Sequence, residues 1–175
     1  MRACLAADYD VVYLTEHDAV WPDDELDMLR HSFRELRIFP GVELTLDDHH
    51  LLVLGTNDPE YLRTNDAAEV IRRARGEGHL TVLAHPFRWQ GGAEMLNGAE
   101  LPDALEWRTP NHLPEMADRS EDTAALLGLA LVNVGDVHAL DAIDRYWIET
   151  AHVLDGPDDI REVVLSGAYE NRSRE

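Results

Sequence analysis

Leu80-Thr-Val-Leu-Ala-His85-Pro-Phe-Arg88 decides how the rest of the chain is read. A run of apolar and β-branched residues meets a histidine, and the proline behind it stops anything from continuing. A short apolar run closed by a breaker reads as a buried, parallel strand. His85 then stands where that strand leaves the sheet, the end at which α/β barrels and open α/β sheets carry their chemistry. One histidine there is as well explained by a structural hydrogen bond. The pattern gains weight because it recurs along the chain.

Before this stretch, Met1 to Ala7 is helix-like with nothing in front of it to serve as an N-cap. Asp10 to Thr15 reads as a strand and runs into Glu16-His17-Asp18. Pro22-Asp-Asp-Glu25 opens a helix, with proline and acids in the first turn where the dipole favours them. Arg37 to Val42 is a short extended run ending at Glu43, and His50-Leu-Leu-Val-Leu-Gly55 is another strand after an Asp47-Asp48 turn. Thr64-Asn65-Asp66 supplies caps for a helix through Ala74, closed by Gly76 and Gly78.

Beyond Arg88, Gln90 to Pro102 is loop-rich and is a candidate lid. A brief strand at Ala104 to Trp107 leads into a polar loop with Asn111 and His112. A helix comes next at Ala124–Ala130, then a strand at 131–134 ending in Gly135-Asp136-Val137-His138. A last strand at Tyr146–Ile148 and a helix from Pro157 to Leu165 complete the chain. Strands alternating with helices predict one α/β domain with a largely parallel sheet or barrel.

Composition narrows the chemistry. With 175 residues and 45% apolar content the chain can bury a sizeable core. It carries 35 acidic residues against 15 basic ones, a formal charge of −20, and every basic residue is arginine. Without lysine there is no Schiff base and no phosphate-binding Walker loop. So acidic a chain also argues against binding to a long nucleic acid. No stretch reaches the roughly 20 apolar residues of a membrane span. The single cysteine, Cys4, has no internal partner, which fits a reducing compartment; the expected location is the cytoplasm.

The polar residues just past the strand ends are His17, Glu43, His85, Glu106 with Asn111, and Asp136 with His138. In a parallel arrangement these ends open on one face. Imidazoles and carboxylates converging there are a metal site by type, suited to Zn, Mn or Fe. His50 opens its strand instead of closing one, so it reaches the same rim if that strand runs antiparallel to its neighbour. His31, His49, His79, His112 and His152 are read as solvated or bland.

The ordered set Thr15-Glu-His-Asp18, Pro40-Gly-Val-Glu43, His50-Leu-Leu-Val-Leu-Gly55, Ala84-His-Pro-Phe87 and Gly135-Asp-Val-His138 resembles successive motifs of the polymerase and histidinol phosphatase (PHP) family, from about residue 10 to 150. The resemblance implies a distorted (β/α)7-type barrel and a centre of one to three divalent metal ions that hydrolyses phosphoesters. By that resemblance Glu43, His50 and His85 hold one metal, with Glu43 bridging to a second. Asp136 matches a ligand of the second, and His17 and His138 match ligands of a third. His17, Asp136 and His138 are thus the expected catalytic residues, His138 or His17 protonating the leaving oxygen where no metal holds it.

Arg88 is the expected clamp on the substrate phosphate, because a guanidinium matches two phosphate oxygens. The family's opening His-x-His strand has no counterpart in the sequence. The barrel is therefore expected to be incomplete at its N-terminus, and hydrolysis of a small phosphoester to be weak. A non-catalytic domain that binds metal for structure or regulation is the alternative. An incomplete barrel leaves residues 10–15 as an apolar edge strand that invites pairing with a second copy. The expected assembly is a homodimer, which sedimentation at moderate salt checks.

Overall fold

The computed structural model describes residues 1–89 and 93–174. Its centre is a curled six-stranded sheet in the chain order β1 (Val11–Leu14), β2 (Arg37–Leu46), β3 (His49–Leu54), β4 (Leu80–Ala84), β5 (Ala104–Glu106) and β6 (Ala130–Val132). Strand β3 runs antiparallel to both neighbours, while the β1–β2, β4–β5 and β5–β6 pairs are parallel. The mixed α/β sheet with one inverted strand forms a half barrel, which agrees with an incomplete barrel.

The alternation of side chains along each strand divides the core in two. On one face Val42, Leu44, Leu51, Val53, Leu83 and Leu105 pack against helices α3 (Ala67–Glu77) and α4 (Pro114–Leu127). The concave face carries Phe39, Leu52, Leu80, Val82, Ala104 and Val132, covered by α5 (Asp159–Ser166). Helices α1 (Arg2–Ala6) and α2 (Asp23–Ser32) flank a third cluster around Leu26, Leu36 and Ile38, beside β1.

Strands β7 (Tyr146–Thr150) and β8 (Tyr169–Ser173) form a separate antiparallel ribbon. Tyr169 Oη and Asn171 Nδ2 donate to the Leu131 carbonyl of β6 at 2.7 and 2.9 Å. On its other side Trp147 meets Tyr9 edge to face at 6.5 Å, and Tyr9 Oη donates to the Ile143 carbonyl at 2.7 Å. The ribbon is thus tied to β6 on one side and packs on the segment preceding β1 on the other, while β1 remains the edge strand of the six-stranded sheet.

Local signals placed several elements and missed others. Asp66 caps α3 by accepting the Ala68 and Glu69 N–H groups at 2.9 and 3.2 Å, and Gly78 closes it in the left-handed region at φ 90°. Helix α4 begins at Pro114, well before the expected Ala124, because proline needs no N–H partner in a first turn. Strand β2 continues past Val42 to Leu46, and β8 is not legible because Tyr-Glu-Asn-Arg-Ser carries almost no apolar alternation. Part of the expected lid, residues 90–92, lies outside the described residues; Met95 and Leu96 beyond it are buried in the core. His79, expected to be solvated, is largely buried and bonds Asp158 at 2.7 Å. Among the described residues no helix is long and apolar enough to cross a membrane.

At the end of the sheet opposite His85, one buried carboxylate ties three elements together. Asp103 accepts the Thr81 N–H at 3.1 Å and receives the Arg161 guanidinium from α5 at 3.1 Å. Removing one member of such a pair leaves the other charge uncompensated. Asp103→Ala is expected to lower the unfolding free energy by about 3 kcal/mol or more, read by urea denaturation.

Candidate metal centre

The inverted direction of β3 builds the site. His50 pairs with Thr45 of β2 on one side and with Ala84 of β4 on the other. The first turn of β3 therefore lies level with the last residues of β4, and His50 comes to the rim where His85 leaves the sheet. Glu43 lies two residues before Thr45 on the same concave face. Paired residues of an antiparallel ladder point to the same side, so Glu43 and His50 face one space.

The resulting contacts are close. His50 Nδ1 is 2.9 Å from Glu43 Oε1, His85 Nε2 is 3.5 Å from the same oxygen, and the two ring nitrogens are 3.3 Å apart. Ligands of a tetrahedral ion at bond lengths of about 2.0–2.1 Å stand roughly 3.3 Å from one another. The three atoms are spaced as donors to one such ion would be, and two imidazoles with one carboxylate are a donor set that suits Zn, Mn or Fe. The donors fit a divalent cation.

Glu43 turns its second oxygen the other way. Oε2 is 3.6 Å from His17 Nε2, and the His17 and His50 rings are 4.6 Å apart. His17, Glu43 and His50 also offer atoms that all lie within 4.8 Å of one another. Glu43 thus turns one oxygen toward His50 and His85 and the other toward His17. The backbone secures this. His17 makes a parallel bridge with Glu43, Asp18 N–H donates to the Glu43 carbonyl at 2.9 Å, and Glu43 N–H donates to the Glu16 carbonyl at 3.1 Å. Asp18, not singled out from the sequence, accepts the Thr45 N–H at 2.8 Å and so clamps the loop to β2.

Asp136 and His138 form a neighbouring group. Asp136 accepts from Asn111 Nδ2 and lies 3.2 Å from His138 Nδ1. The His138 ring, largely exposed, is 6.4 Å from that of His17. His85 and Asp136 adopt positive φ, 30° and 38°, where such side chains pay about 1–3 kcal/mol for the backbone conformation.

Arg88 is exposed and stacks over Trp89 at 5.0 Å, with no acidic partner at salt-bridge distance among the described residues. Trp89 was missed from the sequence although it lies only four residues past His85. Its ring meets His50 and His85 edge to face at 5.0 and 4.8 Å and shields one side of the pair. His112, read as bland, is half-buried with Nδ1 3.0 Å from the Trp107 carbonyl, and burial holds its imidazole below its ordinary range.

Two buried carboxylates respond to this setting in opposite ways. Burial alone pushes Glu43 up, but hydrogen bonds from His50 and His85 and the nearby His17 together bring it down to about 2. Glu106, 1% exposed at the end of β5, is pushed up to about 8 by burial, with Asp136 and Glu43 raising it further against the pull of the His85 N–H.

No family model matches the chain, and no curated protein matches its sequence. Solved structures share its fold. A two-domain protein from Bacteroides vulgatus, containing a predicted PHP-like metal-dependent phosphoesterase, superposes at a TM-score of 0.69 with 17% identity over 94% of this chain and 56% of that one. The chain therefore spans little more than half of that protein. A protein from Bifidobacterium adolescentis, provisionally assigned as a metal-dependent phosphoesterase, gives 0.60 and 16% over 93% of this chain and 87% of that one. An amidohydrolase from Chromobacterium violaceum, solved with bound sulfate and no metal, gives 0.60 and 16% over 97% and 90%. At these identities the likeness is one of fold.

The opposed carboxylates give stability a defined pH dependence. Glu106 has a folded value near 8 against an ordinary 4.5, so the native state holds an extra proton between the two. Its contribution is complete below about pH 4.5 and is lost as pH rises toward 8. Glu43, folded near 2 against 4.5, contributes fully above about pH 4.5 and loses that contribution as pH falls toward 2. E106Q is expected to remove the slope between about pH 4.5 and 8 and leave the one below about pH 4.5, read by urea titrations of metal-free protein from about pH 3 to 8.

Proposed function

We propose that the chain is a metal-dependent phosphoester hydrolase of PHP type, acting in the cytoplasm on a small phosphoester as a homodimer paired along the β1 edge. The observation that carries this reading is the triangle of Glu43 Oε1, His50 Nδ1 and His85 Nε2, with edges of 2.9, 3.3 and 3.5 Å. Glu43, His50 and His85 would hold a divalent cation, with Glu43 Oε2 turned toward His17. A cation held there supplies positive charge against phosphoryl oxygens and acidifies water.

The chain's own residues would do the rest. Arg88, unpaired with any acid among the described residues, offers its guanidinium to phosphate oxygens as a bidentate donor. Trp89 keeps water from one side of the His50–His85 pair. His138, exposed at the rim, can pass a proton to the leaving oxygen, with Asp136 orienting its Nδ1 at 3.2 Å. His17 is the second candidate for that proton, 3.6 Å from Glu43.

A second reading, metal binding without turnover, draws support from Asp136. Its carboxylate is already engaged by Asn111 and His138. Metal analysis of the purified protein and turnover of p-nitrophenyl phosphate with added Mn²⁺ separate the two. His85→Ala is expected to lose metal and to lower turnover by at least the 10–100-fold that even outer-shell changes cause. A wild-type chain that holds metal at stoichiometry and turns over no phosphoester leaves the second reading standing.

A further inference from the structure

Glu106 is the most deeply buried acid near the rim, yet it belongs to none of the groups that converge on Glu43. Its side chain leaves the concave face at the end of β5, one residue past the last paired position of β4 and β5, Leu83 with Leu105. The ladder stops there because His85 turns away from the sheet. The His85 N–H then has no strand carbonyl to donate to, and the Glu106 carboxylate accepts it. The turn it holds is doubly disfavoured. His85 has φ 30°, and a residue before proline is restricted to extended conformations.

We infer that Glu106 is a positioning residue of the metal centre, a carboxylate that fixes the strand exit so that the His85 imidazole points at Glu43 and His50 instead of continuing along the sheet. The inference rests on the metal-binding reading above and extends it inward, to a residue that contacts the backbone of a ligand and not the ion. Without an acceptor at this point the His85 N–H is buried and unpaired, and the turn relaxes toward extended backbone. His85 Nε2 then leaves its place 3.3 Å from His50 Nδ1. Among the described residues the buried Nδ1 of His85 has no partner, so on the ring itself only Nε2, facing Glu43 and His50, is held.

The test measures zinc affinity of the full chain by competition with a chromophoric chelator, alongside the thermal midpoint, for wild type, E106Q, E106L and E106A. E106Q keeps a carbonyl that can accept the N–H and is expected to bind within about threefold of wild type. E106L, of similar volume, removes the acceptor without opening a cavity. It is expected to bind 10–100-fold more weakly, the range for lost outer-shell partners. E106A adds a cavity and should lose more thermal stability than E106L at similar affinity; should it fail to fold, E106L carries the comparison. Lower midpoints with unchanged affinity in E106L and E106A would make Glu106 merely structural and overturn the inference. So would an E106Q as weak as E106L, which would point to direct ligation. A wild-type chain that binds no zinc removes the metal reading itself, and this inference with it.

Discussion

The site depends on one strand running against its neighbours. Because β3 is antiparallel to both β2 and β4, its first residues lie at the same edge of the sheet as the last residues of β4. Were β3 parallel, His50 would sit at the far end, a strand's length of roughly 3.3 Å per residue away. The Asp47-Asp48 turn allows the inversion. Asp47 has φ 53°, the left-handed region that Asp tolerates better than most residues, and it reverses the chain in two positions. A two-residue turn thus decides that three ligand-type side chains share one space.

That space imposes opposite demands on its acids. Glu43 is buried among imidazoles whose N–H groups and charge favour the carboxylate, so it stays ionised far below the ordinary range. Glu106 is buried deeper, near Asp136 and Glu43, and one backbone N–H does not offset the loss of water and the neighbouring charges. Burial raises both; the partners differ. A centre with one acid kept charged and another pushed toward neutrality is the arrangement by which proteins separate the duties of chemically identical side chains.

The surface obeys a different rule from the site. Most arginines are matched to acids, as Arg73 is to Glu77 at 2.9 Å and Arg75 is to Glu100 at 2.7 Å. At the rim, Arg88, Arg108 and Arg119 instead stack on Trp89, Trp107 and Phe87 at 5.0, 4.5 and 4.2 Å. In a chain with 20 more acids than bases by formal charge, these three leave positive charge near the Glu43, His50 and His85 group. Aromatic faces hold a guanidinium without neutralising it.

Much was legible in the residues alone. The run Leu80 to Ala84 closed by His85-Pro86 located a buried strand and a histidine at its end, because apolar continuity and a breaker are local properties. The caps at Asp66 and Gly78 are local for the same reason. The alternation of strands and helices predicted the α/β sheet, and the possible inversion of β3 came from where His50 stands. Other features depend on distance in space. Ribbon β7–β8 is held by Asn171 and Tyr169 reaching β6 across about forty positions of sequence, for which its polar strand gives no signal. The Trp89 ring against two histidines and the Glu106 carboxylate under the His85 N–H are likewise contacts between strand ends. Sequence alone determined which residue types end each strand, since chemistry and periodicity are written in order along the chain. Only the tertiary structure decided which of them meet, because strand direction and register set distances that the linear order does not contain.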